Sequence, residues 1–128
     1  MTQAFTDVRI LDFSQVIAGP FATQLFNMIG ATVIKVEQPG SGDQMRTLLP
    51  VHDAHPPGMS PTFMAYNFGK QSIAVNLKAA DAREVILKLA ATCDVVVENF
   101  RPSVIKQLGF GFDDIRAVKP DIIYCSIS

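Results

Sequence analysis

The chain has no tryptophan, only two cysteines and two histidines, and no excess of either charge. Each scarcity removes a class of function. Cys93 and Cys125 stand far apart without C-x-x-C spacing, so neither a disulfide framework nor a cysteine zinc site is encoded. Both lie in apolar stretches and read as reduced, buried, inert core residues, which fits a cytoplasmic protein. His52 and His55 fall in VHDAHPPG, where Asp53 is the one nearby acid. That is too few ligands for a metal centre, and the prolines around them suit a solvated loop. Eleven basic and twelve acidic side chains leave a net charge of −1, and neither half of the chain is basic enough for a nucleic-acid footprint. No apolar run approaches the roughly 18 residues of a membrane span. The opening MTQAFTDVRILDF has no basic segment leading into an apolar one, so no signal peptide is read.

What is there is a core. Val, Ile, Leu and Phe supply 40 of 128 residues, enough for one packed domain or part of one. Strand-like runs alternate with helical spacing. VRILDF (8–13) is a short β-branched run. Gly19-Pro20 opens a helix, because proline at the first helical position loses no needed N–H. Phe21, Leu25, Met28 and Ile29 fall on one face of it, the expected buried face, and Gly30 ends it. TVIKVE (32–37) is a second strand. Segment 38–69 holds five of the eight prolines and four of the eight glycines and keeps no period. It is expected to be a long functional loop. SIAVNL (72–77) is a third strand, followed by a helical stripe of Ala82, Val85, Ile86, Leu89 and Ala90. DVVVE (94–98) reads as a strand buried on both faces. Pro102 starts a short helix ending at Gly109, Asp113-Asp114 open another, and DIIYCSI (121–127) is a fifth strand. The expected fold is α/β, a Rossmann-like open and mainly parallel sheet with helices on both faces. A helix would be needed after the last strand, so the sheet is expected to be incomplete within residues 1–128.

Ligands of such sheets bind at the carboxyl ends of the strands. The loops there are Ser14–Pro20, Gln38–Asp43 and Asn99–Ser103. A dinucleotide site is disfavoured: the first turn, SQVIAGPFATQ, has one glycine instead of G-x-G-x-x-G, and Gly40-Ser41-Gly42 lacks the third. Glu37 then reads as a solvated acid at a strand end. No G-x-S-x-G elbow and no Ser-His-Asp order is present. Asp12 and Glu98 read as structural. Arg46, Lys70, Lys78, Arg101 and Lys106 fall in or beside these loops and could bind phosphates.

Four stretches in order, VRILDFSQVIAGPFATQLFNMIGATVIKVEQPGSGDQMR, GKQSIAVNLK, DVVVENFRPSVIKQLGFGFDDI and PDIIYCSIS, resemble the opening of class III CoA-transferases. That family includes formyl-CoA transferase, carnitine CoA-transferase and α-methylacyl-CoA racemase. The resemblance runs from about Val8 to Ser128 and lapses only near 48–62. It implies the N-terminal part of a CoA-binding large domain, with acyl-CoA and a carboxylic acid as substrates and an interlocked homodimer as the assembly. It implies no metal. The attacking aspartate of the transferases, like the His/Asp pair of the racemases, would lie beyond Ser128, so no catalytic residue is expected among these 128 and the span alone is expected to be inactive. Carried over, the CoA contacts fall on Ile17, Ala18, Gln38, Val75, Asn76, Leu77, Lys78, Asn99, Phe100, Arg101 and Gln107. Formyl-CoA transferase has a glutamine at Ile17 and arginines at Gln38 and Gln107; Arg46, Arg101 or Lys106 would have to replace those cations. ENFRPSVIKQLGF looks more like the transferases than the racemases. The alternatives are a 2-methylacyl-CoA racemase of the same family and a truncated CoA-binding subunit.

Overall fold

Strands joined through helices return in the same direction, and the sheet observed is parallel throughout. The computed structural model describes residues 3–48 and 56–128. Its strands are β1 (Arg9–Asp12), β2 (Thr32–Glu37), β3 (Gln71–Ala74), β4 (Val95–Glu98) and β5 (Ile123–Ser126), in spatial order β3-β2-β1-β4-β5. Helix α1 (Ala18–Met28) links β1 to β2, α2 (Pro61–Asn67) links β2 to β3, and α3 (Ala82–Ala90) links β3 to β4. The short helices α4 (Val104–Gln107) and α5 (Phe112–Val118) link β4 to β5. The α/β expectation holds.

Side chains alternate across the pleat, so the two faces differ. Leu11, Ile34, Val36 and Val96 point to one face. There Ile86 and Ala90 of α3, Ile105 of α4 and Ile115 of α5 close an apolar core with Phe13, Cys93 and Phe110. The α3 stripe lies where its spacing put it: Ala82, Ile86 and Ala90 are buried and Leu89 packs on the core, while Val85 stays exposed.

The other face corrects the α1 expectation. Phe21, Leu25, Met28 and Ile29 are 48%, 48%, 64% and 44% exposed. The inward positions are Gly19, Pro20, Thr23 and Gln24. The reason is what they face. Asp12 and Lys35 are register partners on β1 and β2 and are buried on this side, so the helix turns small and polar residues toward them. Gly19 approaches so closely that any Cβ would collide with the Ser14 side chain. The helix also starts at Ala18, two residues before Pro20, whose missing N–H still falls in the first turn. Beyond α1, no helix among the described residues covers the same face of β4 and β5. Val95, Val97, Ile123, Cys125 and Ile127, with Phe5, Val8 and Phe26, line a trough of about 400 Å³. Cys93 is buried as expected, but Cys125 is exposed.

The described residues of segment 38–69, 38–48 and 56–69, carry two short elements. Asp43 accepts the Met45 N–H at 2.9 Å and starts a 3-10 turn over Gln44–Arg46. Ser60 accepts the Phe63 N–H at 3.1 Å and caps α2, with Pro61 at its first position. His52 and His55, and with them the reading of a solvated loop, lie outside the described residues.

Candidate functional site

The strand order reverses between β1 and β4, and the loops after them leave in opposite directions. That is where an open parallel sheet forms its ligand crevice. Here the crevice is bridged. The Gln15 N–H donates to Asn99 Oδ1 at 2.8 Å, and Asn99 Nδ2 donates to the Gln15 carbonyl at 2.8 Å. The Phe13 N–H donates to the Val97 carbonyl just before it, so the Asn99 amide adds one side-chain rung to the β1–β4 ladder.

The rest of the β1–α1 loop is held as tightly. Asp12 accepts from the Ser14 N–H at 2.9 Å and from the Ser14 hydroxyl. Lys35 Nζ donates to the Ser14 carbonyl at 2.7 Å and pairs with Asp43 at 2.8 Å. Asp43 accepts the Val16 N–H at 3.2 Å. Val16 itself sits at φ 70, a left-handed conformation unusual for a β-branched residue. Such strain costs ~1–3 kcal/mol and persists only where surrounding bonds over-determine it.

Two cations expected to be available for phosphate are committed elsewhere. Lys70 Nζ donates to Asp12 (3.2 Å), the Pro20 carbonyl (2.9 Å), Thr23 (2.8 Å) and Asn67 (3.1 Å). Burial pulls its pKa down to about 8, against the partial restoring effect of Asp12. Arg46 makes a two-point pair with Glu37 at 2.8 and 2.7 Å and lies 3.8 Å over the Phe63 ring. Glu37 is therefore buried and paired, not a solvated strand end. Burial would raise its pKa, but Arg46, the Ser72 hydroxyl and the Asp43 N–H outweigh it and bring the carboxyl to about 2. Glu98 is buried too, and accepts the Phe100 N–H at 2.9 Å.

The predicted contact residues are partly brought together. Gln38, Val75, Leu77, Lys78 and Phe100 line one slot of about 170 Å³, with Gln15 at its wall. Asn76 is exposed, and its Oδ1 accepts the Lys78 N–H at 3.1 Å, shaping the turn that presents that lysine. Phe100 and Arg101 line a neighbouring hollow of about 460 Å³ between the ends of β4 and β5 and helices α4 and α5, together with Lys106. Ile17 and Ala18 are exposed at the start of α1. Gln107 is exposed on α4 and lines neither space, and Asn99, turned to Gln15, lines neither. Among the described residues Lys78, Arg101 and Lys106 form no ion pair. Sequence reasoning missed the roles of Lys35 and Asp43; the one signal was an aspartate ahead of a short helical turn.

An open parallel sheet whose strand order reverses between β1 and β4, with a slot at the carboxyl ends of its strands, defines a domain of the open α/β class. Its family follows from sequence. The profile described as CoA-transferase family III matches residues 5–128, and the chain belongs to that family. It is 46% identical over 121 residues to the human succinyl-CoA:glutarate CoA-transferase, a match covering 94% of this chain and 27% of that protein. It is 44% identical over 127 residues to a formyl-CoA:oxalate CoA-transferase of Rhodopseudomonas palustris, covering 99% and 29%. The crystal structure of Rv3272 from M. tuberculosis superposes with a TM-score of 0.89 at 42% identity, over 98% of this chain and 34% of that one. The chain thus spans between a quarter and about a third of the length of these relatives.

Proposed function

We propose that this chain is the CoA-binding part of an acyl-CoA:carboxylate CoA-transferase. The observation that carries the reading is the slot at the switch point, seen in a chain of this family. Its walls, Val75, Leu77 and Phe100, suit a flat ring, and Lys78 stands at its edge to meet a phosphate. The hollow with Arg101 and Lys106 extends the cationic edge for the remaining phosphates. The slot is too small for a whole CoA, so the acyl end would run along the β1–α1 loop toward Ile17.

The transfer chemistry needs a carboxylate nucleophile. That carboxylate would attack the acyl-CoA carbonyl and expel the CoA thiolate, leaving a mixed anhydride. The thiolate would then attack the enzyme's own carbonyl and release the donor acid, giving an enzyme thioester. The acceptor acid would repeat the exchange in reverse. None of Asp12, Glu37 and Asp43 suits the role: each is buried in an ion pair. Following what the family resemblance implies, we place the nucleophile outside this span, and the span alone would be inactive. The expected setting is a cytoplasmic homodimer.

Calorimetry with CoA and with NAD tests the reading. CoA should bind and NAD should not. Lys78→Ala should weaken CoA by roughly 10- to 150-fold, the loss of one charge-assisted contact of ~1.5–3 kcal/mol. Binding of NAD alone, or unchanged CoA affinity in that variant, would refute it. Succinyl-CoA with glutarate, and formyl-CoA with oxalate, are the donor–acceptor pairs to assay in the complete protein.

A further inference from the structure

Resting on the acyl-CoA reading above, we propose that Asp43 is a positioning residue for the transfer reaction. From beneath the β1–α1 loop its carboxylate holds the strained Val16 peptide, and so sets where Ile17 and the start of α1 stand against the acyl end. Two observations carry this. The first is where its bonds go. Oδ1 accepts the N–H of Val16 at 3.2 Å and that of Met45 at 2.9 Å, and Oδ2 faces Lys35 Nζ at 2.8 Å. Lys35 Nζ in turn donates to the Ser14 carbonyl at 2.7 Å. The pair thus grips the loop on both sides of Gln15, from Lys35 and Asp43 side chains that are 2% and 0% exposed. The second is the conformation held. Val16 stands at φ 70, where a β-branched residue persists only if its surroundings over-determine it.

Energetics separate this role from a merely structural one. A buried ion pair is a poor source of stability, and apolar residues of similar volume in its place are often neutral or better. The other face of the same two strands is closed by such residues, Leu11, Ile34 and Val36. An apolar pair could not accept a peptide N–H or donate to a carbonyl. What Lys35 and Asp43 supply beyond packing is therefore the shape of the loop. Without the Oδ1 acceptor the Val16 peptide relaxes, and Ile17, exposed at the next position, shifts with it. Val75, Leu77 and Lys78 of the slot lie in the loop after β3 and keep their places. Displacement at the reacting end alone lowers the rate of the bound complex more than its affinity for the CoA moiety.

The test compares Asp43→Asn and Asp43→Ala with wild type in the complete protein. Both leave Lys35 without its carboxylate and should lower the unfolding midpoint. Only the alanine removes the acceptor for Val16. In the transfer assay kcat should fall ~10- to 100-fold in Asp43→Ala and stay within about fivefold of wild type in Asp43→Asn, with the CoA Kd within about fivefold in both. Amide exchange of Val16 without ligand should accelerate in the alanine variant alone. Equal kcat in the two variants would overturn the inference, because a merely structural role moves both alike. A CoA Kd at least about tenfold weaker in Asp43→Ala with Val16 exchange unchanged would overturn it as well. If Asp43→Ala does not fold, Asp43→Leu with Lys35→Met removes the same acceptor without stranding a charge, and is read by the same criteria. Failure of wild type to bind CoA would sink the underlying reading along with this one, and is seen before any variant is made.

Discussion

The two faces of one sheet obey different rules. On the α3 and α5 side the inward residues of the central strands are apolar except Glu98 at the end of β4, and the helices answer with apolar stripes. On the α1 side the buried residues include Asp12, Lys35 and Glu37, and the helix answers with Gly19, Thr23 and Gln24. The first face is held by packing, which is roughly additive and tolerant of exchange. The second is held by three ion pairs, Asp12 with Lys70, Lys35 with Asp43, and Glu37 with Arg46, linked through Ser14 and the Asp43 N–H. This second face fixes the β1–α1 loop.

The largest effect should come from breaking a buried pair. Lys70→Ala leaves Asp12 without its cation inside the protein and should destabilise by ~3–5 kcal/mol in urea unfolding. If the pairing is the cause, Lys70→Met with Asp12→Leu should cost less than the two single changes summed. An additive result would mean that the two side chains act separately.

Acid should weaken the polar face before the apolar one. The folded pKa of Glu37 is about 2, below its ordinary 4.5. The unfolded chain therefore binds that proton first, and the stabilisation is complete above pH 4.5 and lost as pH falls toward 2. Its size is ~3 kcal/mol at most. Glu37→Gln should flatten that part of the stability profile; an unchanged slope would remove Glu37 from the account.

Truncations test the faces directly. Ile86→Ala on α3 should cost ~2–5 kcal/mol, whereas Leu25→Ala on the exposed stripe of α1 should stay within about 0.5 kcal/mol. Equal costs would mean that α1 buries the stripe after all. The smallest effect on stability should come from Ile123→Lys. It places a charge at the rim of the uncovered trough and should reduce self-association in sedimentation, with a change in unfolding of about 0.5 kcal/mol or less.

These contrasts also explain what could be read from the sequence. The alternation of strands and helices, the parallel sheet and the α3 face were legible because apolar period and burial coincide there. The α1 face was not: its apolar stripe is real, but Asp12 and Lys35 sit under the helix and invert the rule. Cys125 was misjudged for a related reason, since an apolar strand is buried only if something covers it. In the loop 38–69 the cap signals Asp43 and Ser60-Pro61 were present but hidden among prolines. Among the candidate contacts, Lys78 and Phe100 were legible as loop residues with suitable chemistry. The engagement of Arg46 and Lys70 was not, because their partners Glu37 and Asp12 are distant in sequence. Asn99 was legible as a polar loop residue, but its partner, a backbone peptide, leaves no trace in side-chain pattern.

The central claim is that CoA binds at the carboxyl edge of the sheet, across the switch point. Amide chemical shifts followed during a CoA titration test it most directly. The account predicts perturbations concentrated at Gln38, Val75–Lys78 and Phe100–Arg101, with no response to NAD. Perturbations confined to the trough around Val97 and Ile123, or none at saturating CoA, would contradict it.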